Sequence, residues 1–311
     1  MRRAALLLVV AGAFLAPATP AFAHGGSLAG GGAYRVRVTG VSPPERGLTV
    51  GAVEGGALLE LANRTGHSVE ILGYSGEPYL DVRPDGTYRN VNSPANPTAP
   101  PSWRRVSTST TVRWHDERIT PGTWTIPLRV QVRTFDIRGA LTREPPPHAW
   151  LWWSGAGLLA LALTGLASRW PRTIAPVTLI AGLAPISYAT SRALDGGTAP
   201  LVLVSAGLIA IAAAWRHPPF FQALTGAVLA VFSGLASTGI FSAAVVPAAG
   251  PGWLARASVL IALGAGAALT LTGVQRLRAT LPAGPDPGRR DVPAAPAGPD
   301  PGRRDVPAVP A

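Results

Sequence analysis

The sequence contains no cysteine, no lysine and one methionine, Met1. Without thiols there are no disulfides, no zinc-thiolate or iron–sulfur centres and no cysteine nucleophile. With methionine confined to the first position, Met-rich Cu(I) clusters have no ligands either. Charge is also sparse, since 14% of the 311 residues are ionised acids or bases, against roughly 25% in an ordinary soluble domain. A mean hydropathy of +0.26 is correspondingly high. The net charge of +11 is spread along the chain as small arginine surpluses. Nowhere is it clustered enough for a nucleic-acid footprint. These absences point to a chain whose main partner is a lipid bilayer.

What is present falls into four segments. Residues 1–23 have Arg2-Arg3, an apolar run from Ala4 to Leu15 and the small-residue site Ala21-Phe22-Ala23, the three-part form of a secretory signal peptide. Cleavage after Ala23 makes His24 the amino terminus. Residues 24–147 alternate apolar and polar residues in short runs, among them Tyr34–Val38, Leu59–Leu61, Ser68–Ile71, Tyr79–Val82, Thr111–Trp114 and Ile126–Val132. Period-two runs separated by Pro and Gly turns predict an exported, all-β antiparallel sandwich. Asn90–Ser102, with its prolines, reads as a long surface loop.

After the stiff Pro145-Pro146-Pro147 spacer, residues 148–274 carry five apolar runs, at about 149–168, 174–190, 199–214, 220–246 and 253–274. These predict a membrane bundle of five helices, the second and third being short against the roughly 20 residues a span needs. With the β domain exported, Arg169, Arg172, Arg216, Arg276 and Arg278 all fall on the cytoplasmic side, as the positive-inside asymmetry requires. Trp150, Trp152, Trp153, Trp170, Trp215 and Trp253 stand at the proposed helix ends, where interfacial rings prefer to lie. Only Arg256 lies inside a run, near enough to its end to reach water along its stem. No Asp, Glu, Lys or His occupies the interior of a run, so the helices carry none of the ionisable residues that ion transport usually needs. Residues 275–311 contain PAGPDPGRRDVPA twice, at 282–294 and 296–308, and read as a disordered cytoplasmic tail.

The chemistry-bearing candidates are few. An amino-terminal His24 offers an α-amine and an imidazole to Cu(II), which favours nitrogen-rich tetragonal sites. His115 is the best further donor, with Asp116 beside it to ligate or orient. The same residues also have a reading without metal, in which Glu77 accepts a hydrogen bond from His115 or pairs with Arg118 and ties two loops together. Tyr79 and Trp114 would then contact a partner, either another envelope protein or a second copy of the chain. No G-x-S-x-G elbow is present, and no catalytic constellation emerges. A non-enzymatic role follows.

Gly73-Tyr74-Ser75-Gly76-Glu77-Pro78-Tyr79-Leu80, Pro84-Asp85-Gly86, Asn92-Ser93-Pro94 and Trp114-His115-Asp116 together resemble a group of actinobacterial membrane proteins that join an exported β domain to membrane helices. That group often reads W-H-D-H-R at the last motif. Here Glu117 replaces the second His. An exported sandwich opening on His, followed by helices, is also similar in plan to fused copper-resistance proteins of the CopC/CopD type. The resemblance implies an extracytoplasmic copper-binding domain with copper as the one candidate cofactor.

Overall fold

The computed structural model describes residues 32–215 and 218–280. The segment expected to be a signal peptide, His24, Arg216, His217 and the repeated tail lie outside the described residues. Ten strands come first: β1 (Tyr34–Ser42), β2 (Leu48–Val53), β3 (Leu58–Asn63), β4 (Val69–Leu72), β5 (Pro78–Arg83), β6 (Gly86–Asn90), β7 (Trp103–Ser107), β8 (Thr111–Trp114), β9 (Gly122–Val130) and β10 (Arg133–Arg143). They form a seven-stranded sheet in the order β1-β10-β9-β4-β5-β6-β7 and a three-stranded sheet β2-β3-β8. Every pairing is antiparallel. Leu59, Leu61, Val69, Ile71, Ile126, Leu128, Phe135 and Ile137 fill the space between the sheets. This alternation, with one face buried and the other wet, is what the period-two runs encode.

Five helices follow: α1 (Ala149–Arg169), α2 (Ile174–Leu194), α3 (Leu201–Ala213), α4 (Pro219–Val228) and α5 (Gly252–Thr280). A π-helical turn at Leu229–Gly234 and a 3-10 turn at Leu235–Phe241 prolong α4. Four of the helical stretches, 149–169, 171–194, 219–241 and 252–280, are long and apolar enough to cross a membrane. The exception is α3. Its 13 residues reach about 20 Å at 1.5 Å each, short of the roughly 30 Å hydrocarbon core. Of the two runs expected to be short, α2 is full length and α3 is not. Glycine lets α3 lie against α2, because a Cβ at Gly182 would sit 2.8 Å from the Gly207 carbonyl oxygen. The same close approach joins α4 to α5 at Gly226 and Gly266, the small-residue packing expected where apolar burial gives helices no preference for one another over lipid.

The β domain rests on the helical part through specific contacts. Glu54 and Gly55, both at positive φ, turn successive N–H groups onto Asp195 at the end of α2. Its carbonyl accepts from Glu54 at 2.8 Å and its carboxylate Oδ2 from Gly55 at 2.7 Å. The Arg113 guanidinium donates to the Gly196 carbonyl, and Val245 N–H donates to Gly32 O at 2.7 Å. Arg256 departs from expectation. Instead of reaching water it is 8% exposed, with Nε donating to Ile240 O at 2.9 Å and Nη2 to Ala243 O at 2.7 Å. Ile240 stands in the last part of the 3-10 turn and Ala243 two residues beyond it, where carbonyls lack onward helical donors and draw a nearby cation.

Candidate functional site

Three loops meet at one side of the β domain. The first leaves β4 at Gly73 and returns at Glu77, closed by Gly73 N–H to Glu77 O at 2.6 Å, with Gly76 at φ +82 making the turn. Gly73 has to lack a side chain, because a Cβ there would overlap the Glu77 carboxylate. That carboxylate is buried. It accepts from Ser75 N–H at 2.9 Å and, across the second loop, from the Ser93 hydroxyl at 2.7 Å. Burial alone would raise its pKa. The Ser93 hydroxyl, the backbone donors and the Arg118 charge outweigh that and hold it below the usual carboxylate value.

Asn90 keeps the second loop in shape. Its side chain donates to Pro78 O at 2.8 Å and accepts from Asn92 N–H at 3.1 Å and Ser102 N–H at 3.0 Å. One buried amide thereby closes the whole 91–102 excursion that the prolines predict.

The third loop, Trp114–Ile119, is organised by Asp116, which is 3% exposed. One carboxylate oxygen accepts from Arg118 N–H at 3.1 Å and Nε at 2.8 Å, and the other from Arg118 Nη2 at 2.7 Å and Trp114 Nε1 at 3.1 Å. Burial pushes this acid up, and the Arg118 bonds and charge, with the Trp114 donor, bring it net below its ordinary value. Arg118 also donates to Leu72 O at 3.0 Å and Gly73 O at 3.2 Å, which joins the third loop to the first. Its guanidinium lies 5.1 Å from the Tyr74 ring centroid, and the Tyr74 hydroxyl accepts from Glu117 N–H at 3.1 Å.

Of the residues singled out from sequence, Glu77, Asp116, Trp114 and Arg118 come together, and Tyr79 stands half-buried nearby with Arg89 5.9 Å from its ring centroid. The pairings differ from those expected. Glu77 bonds to Ser93, not His115, and Arg118 takes Asp116 as its ion-pair partner. Both oxygens of Asp116 are committed to internal donors, leaving it no ready lone pair for a metal. Trp114 is 4% exposed and belongs to the core, so its face is closed to a partner. The exposed aromatic is Tyr74, at 56%, which sequence reasoning did not place among the contact residues. His115 is partly exposed and its Nδ1 lies 3.2 Å from Ala57 O. A carbonyl can only accept, so Nδ1 is the donor in this contact, and Nε2 has no hydrogen-bond partner among the described residues. Among the described residues, no group of three or more His, Cys, Asp or Glu converges.

No family model, curated protein or solved structure matches this chain.

Proposed function

We propose that this chain is a membrane-anchored, non-catalytic envelope module whose β domain presents the 73–79 and 114–119 loops as a rigid recognition surface for a protein partner. The orientation is the one read from the arginines, with the β domain outside and the tail in the cytoplasm. The observation that carries this reading is the internal commitment of the two buried carboxylates of the loop cluster. Asp116 and Glu77 spend their oxygens on Arg118, Trp114, Ser75 and Ser93, which fixes the loops and leaves Tyr74 and Glu117 outward. Pre-ordered loops with one exposed aromatic suit recognition, because little ordering entropy remains to be lost on binding.

A photo-crosslinking residue at position 74 in native membranes should give one adduct of defined mass, absent when the probe stands at Val132. Intramolecular products alone at position 74 would remove this reading.

One observation favours a second reading, in which copper binds. Nδ1–H held by a backbone carbonyl with Nε2 free is the arrangement metal-bound imidazoles adopt. His115, with the amine and imidazole of His24 after cleavage, would then supply nitrogen ligands to Cu(II). The mature full chain should bind about one Cu(II), with nitrogen couplings in its paramagnetic resonance spectrum that are lost on His115→Ala. No binding at micromolar Cu(II) would dispose of it.

A further inference from the structure

A cavity of about 240 Å³ lies where the β domain meets the helices, lined by Arg35, Gly55, Asp195, Val246, Gly252 and Arg256 among others. It occupies the level at which the spans end, since Asp195 directly follows the stretch 171–194 and Gly252 opens the last one. Its charges are unusual. Arg256 is more than nine-tenths buried, and no carboxylate lies within ion-pair reach of it among the described residues. Backbone carbonyls occupy Nε and Nη2, whereas Nη1 has no partner among the described residues. Nη1 lies on the cavity side, where a Cβ added to Gly252 would come within 3.2 Å of it. Carbonyl dipoles orient a guanidinium but do not neutralise it, and a buried cation without a counter-charge is costly. The amide end of α5, which begins at Gly252, adds partial positive charge at the same place.

Asp195 supplies the opposite sign to the same cavity. Its Oδ2 accepts from Gly55 N–H, and Oδ1 has no partner among the described residues. An anion alone would meet this carboxylate, and a cation alone would meet Arg256. A ligand carrying both charges a few bonds apart satisfies the two groups together. The volume is below the range of drug-sized pockets and admits a polar headgroup but not acyl chains.

We propose that this cavity binds a phosphate ester bearing an ammonium group, of the phosphoethanolamine type, with the phosphate on Arg256 Nη1 and the α5 amide end, and the ammonium on Asp195. A phospholipid headgroup and a soluble phosphoethanolamine share this chemistry, and the test separates them.

The full chain, delipidated in detergent, is offered phosphatidylethanolamine and phosphatidylglycerol in equal amounts, and retained lipid is counted by native mass spectrometry. Soluble phosphoethanolamine is tested in parallel by thermal shift. Expected is one phosphatidylethanolamine per chain, preferred over phosphatidylglycerol by about ten-fold, the scale of one charged contact. Gly252→Ala places a methyl group against Nη1 while leaving the Arg256 carbonyl bonds in place, and should weaken retention by about ten-fold or more at unchanged melting temperature. Asp195→Asn keeps the acceptor for Gly55 N–H and loses the charge, so it should retain both lipids equally. Stabilisation by soluble phosphoethanolamine without lipid retention, abolished by Gly252→Ala, supports the same site with a soluble ligand. Binding of neither, unchanged binding by Gly252→Ala, or an undiminished lipid preference in Asp195→Asn overturns the proposal.

Discussion

Replacing Asp116 by Asn keeps the shape of the loop cluster and removes one charge from its centre. The carboxylate accepts four hydrogen bonds from Arg118 and Trp114, and its side chain is 3% exposed against 20% for Arg118. An asparagine offers one acceptor oxygen, and its NH2 group would face the Arg118 donors. Hydrogen bonds to charged groups contribute about 1.5–3 kcal/mol each, and breaking a fully buried pair costs about 3–5 kcal/mol. Because Arg118 keeps some contact with water, about 2–4 kcal/mol is expected. For a domain of this size that corresponds to a melting temperature lower by roughly 10–25 °C. Thermal unfolding of the full chain in detergent, followed by tryptophan fluorescence, measures it. The pH dependence supplies a second check. The Asp116 pKa is lowered in the folded state, so its contribution is present above its unfolded value of about 3.9 and is lost as pH falls through the lower folded value. The gap between wild type and variant should therefore close in acid. A variant within about 0.5 kcal/mol of wild type at neutral pH would show that the Asp116 cluster does not hold the loops together.

Three further outcomes follow from the same geometry. Gly73→Ala pushes the Glu77 carboxylate off Ser75 and Ser93, and should expose the 73–79 loop to limited proteolysis at a cost of about 1–3 kcal/mol; an unchanged digestion pattern would count against that role. Gly207→Leu forces α3 off α2 and should lower the yield of folded chain from membranes, whereas Gly157→Leu, at a position with open space around it, should not. Burial raises the Asp195 pKa above its ordinary value despite the Gly55 donor, so its contribution to docking is full at low pH and declines as pH rises through the folded value. Hydrogen exchange at the Glu54 and Gly55 amides should accelerate with pH beyond its intrinsic dependence in wild type, and lose that excess in Asp195→Asn.

The strands most readily seen in sequence are those with one face buried and no interruption. β9 buries Trp124, Ile126, Leu128 and Val130 in strict alternation. β10 has the same pattern at Phe135, Ile137, Gly139 and Leu141, but Gly139 breaks the apolar signal. The Trp124 ring fills the space a side chain would need there, so the gap in the pattern is itself a packing feature. β7 is exposed almost throughout and has no period to detect. The site was half legible: Glu77, Trp114, Asp116 and Arg118 were, whereas the exposed Tyr74 and the pairings were not. Asp116 and Arg118 are two apart, a spacing that means nothing until a turn brings the side chains together. Ser93 reaches Glu77 from another loop, and His115 finds a backbone carbonyl, which has no signature in a sequence. Arg256 was misjudged for the same reason, since the groups that hold it are the carbonyls of residues 240, 243 and 244.

The contacts from Asp195, Gly196 and Val245 to the β domain leave it no hinge at its base. β10 rises from Arg143 over 11 residues, about 35 Å at roughly 3.4 Å each, to a hairpin tip where Val132 is 94% exposed. The domain is therefore a strut of fixed height. Whatever meets the tip is held at a set distance from the helical part, and a lateral force applied there is transmitted to the end of α2 and to the segment before α5 without being absorbed by a swinging neck.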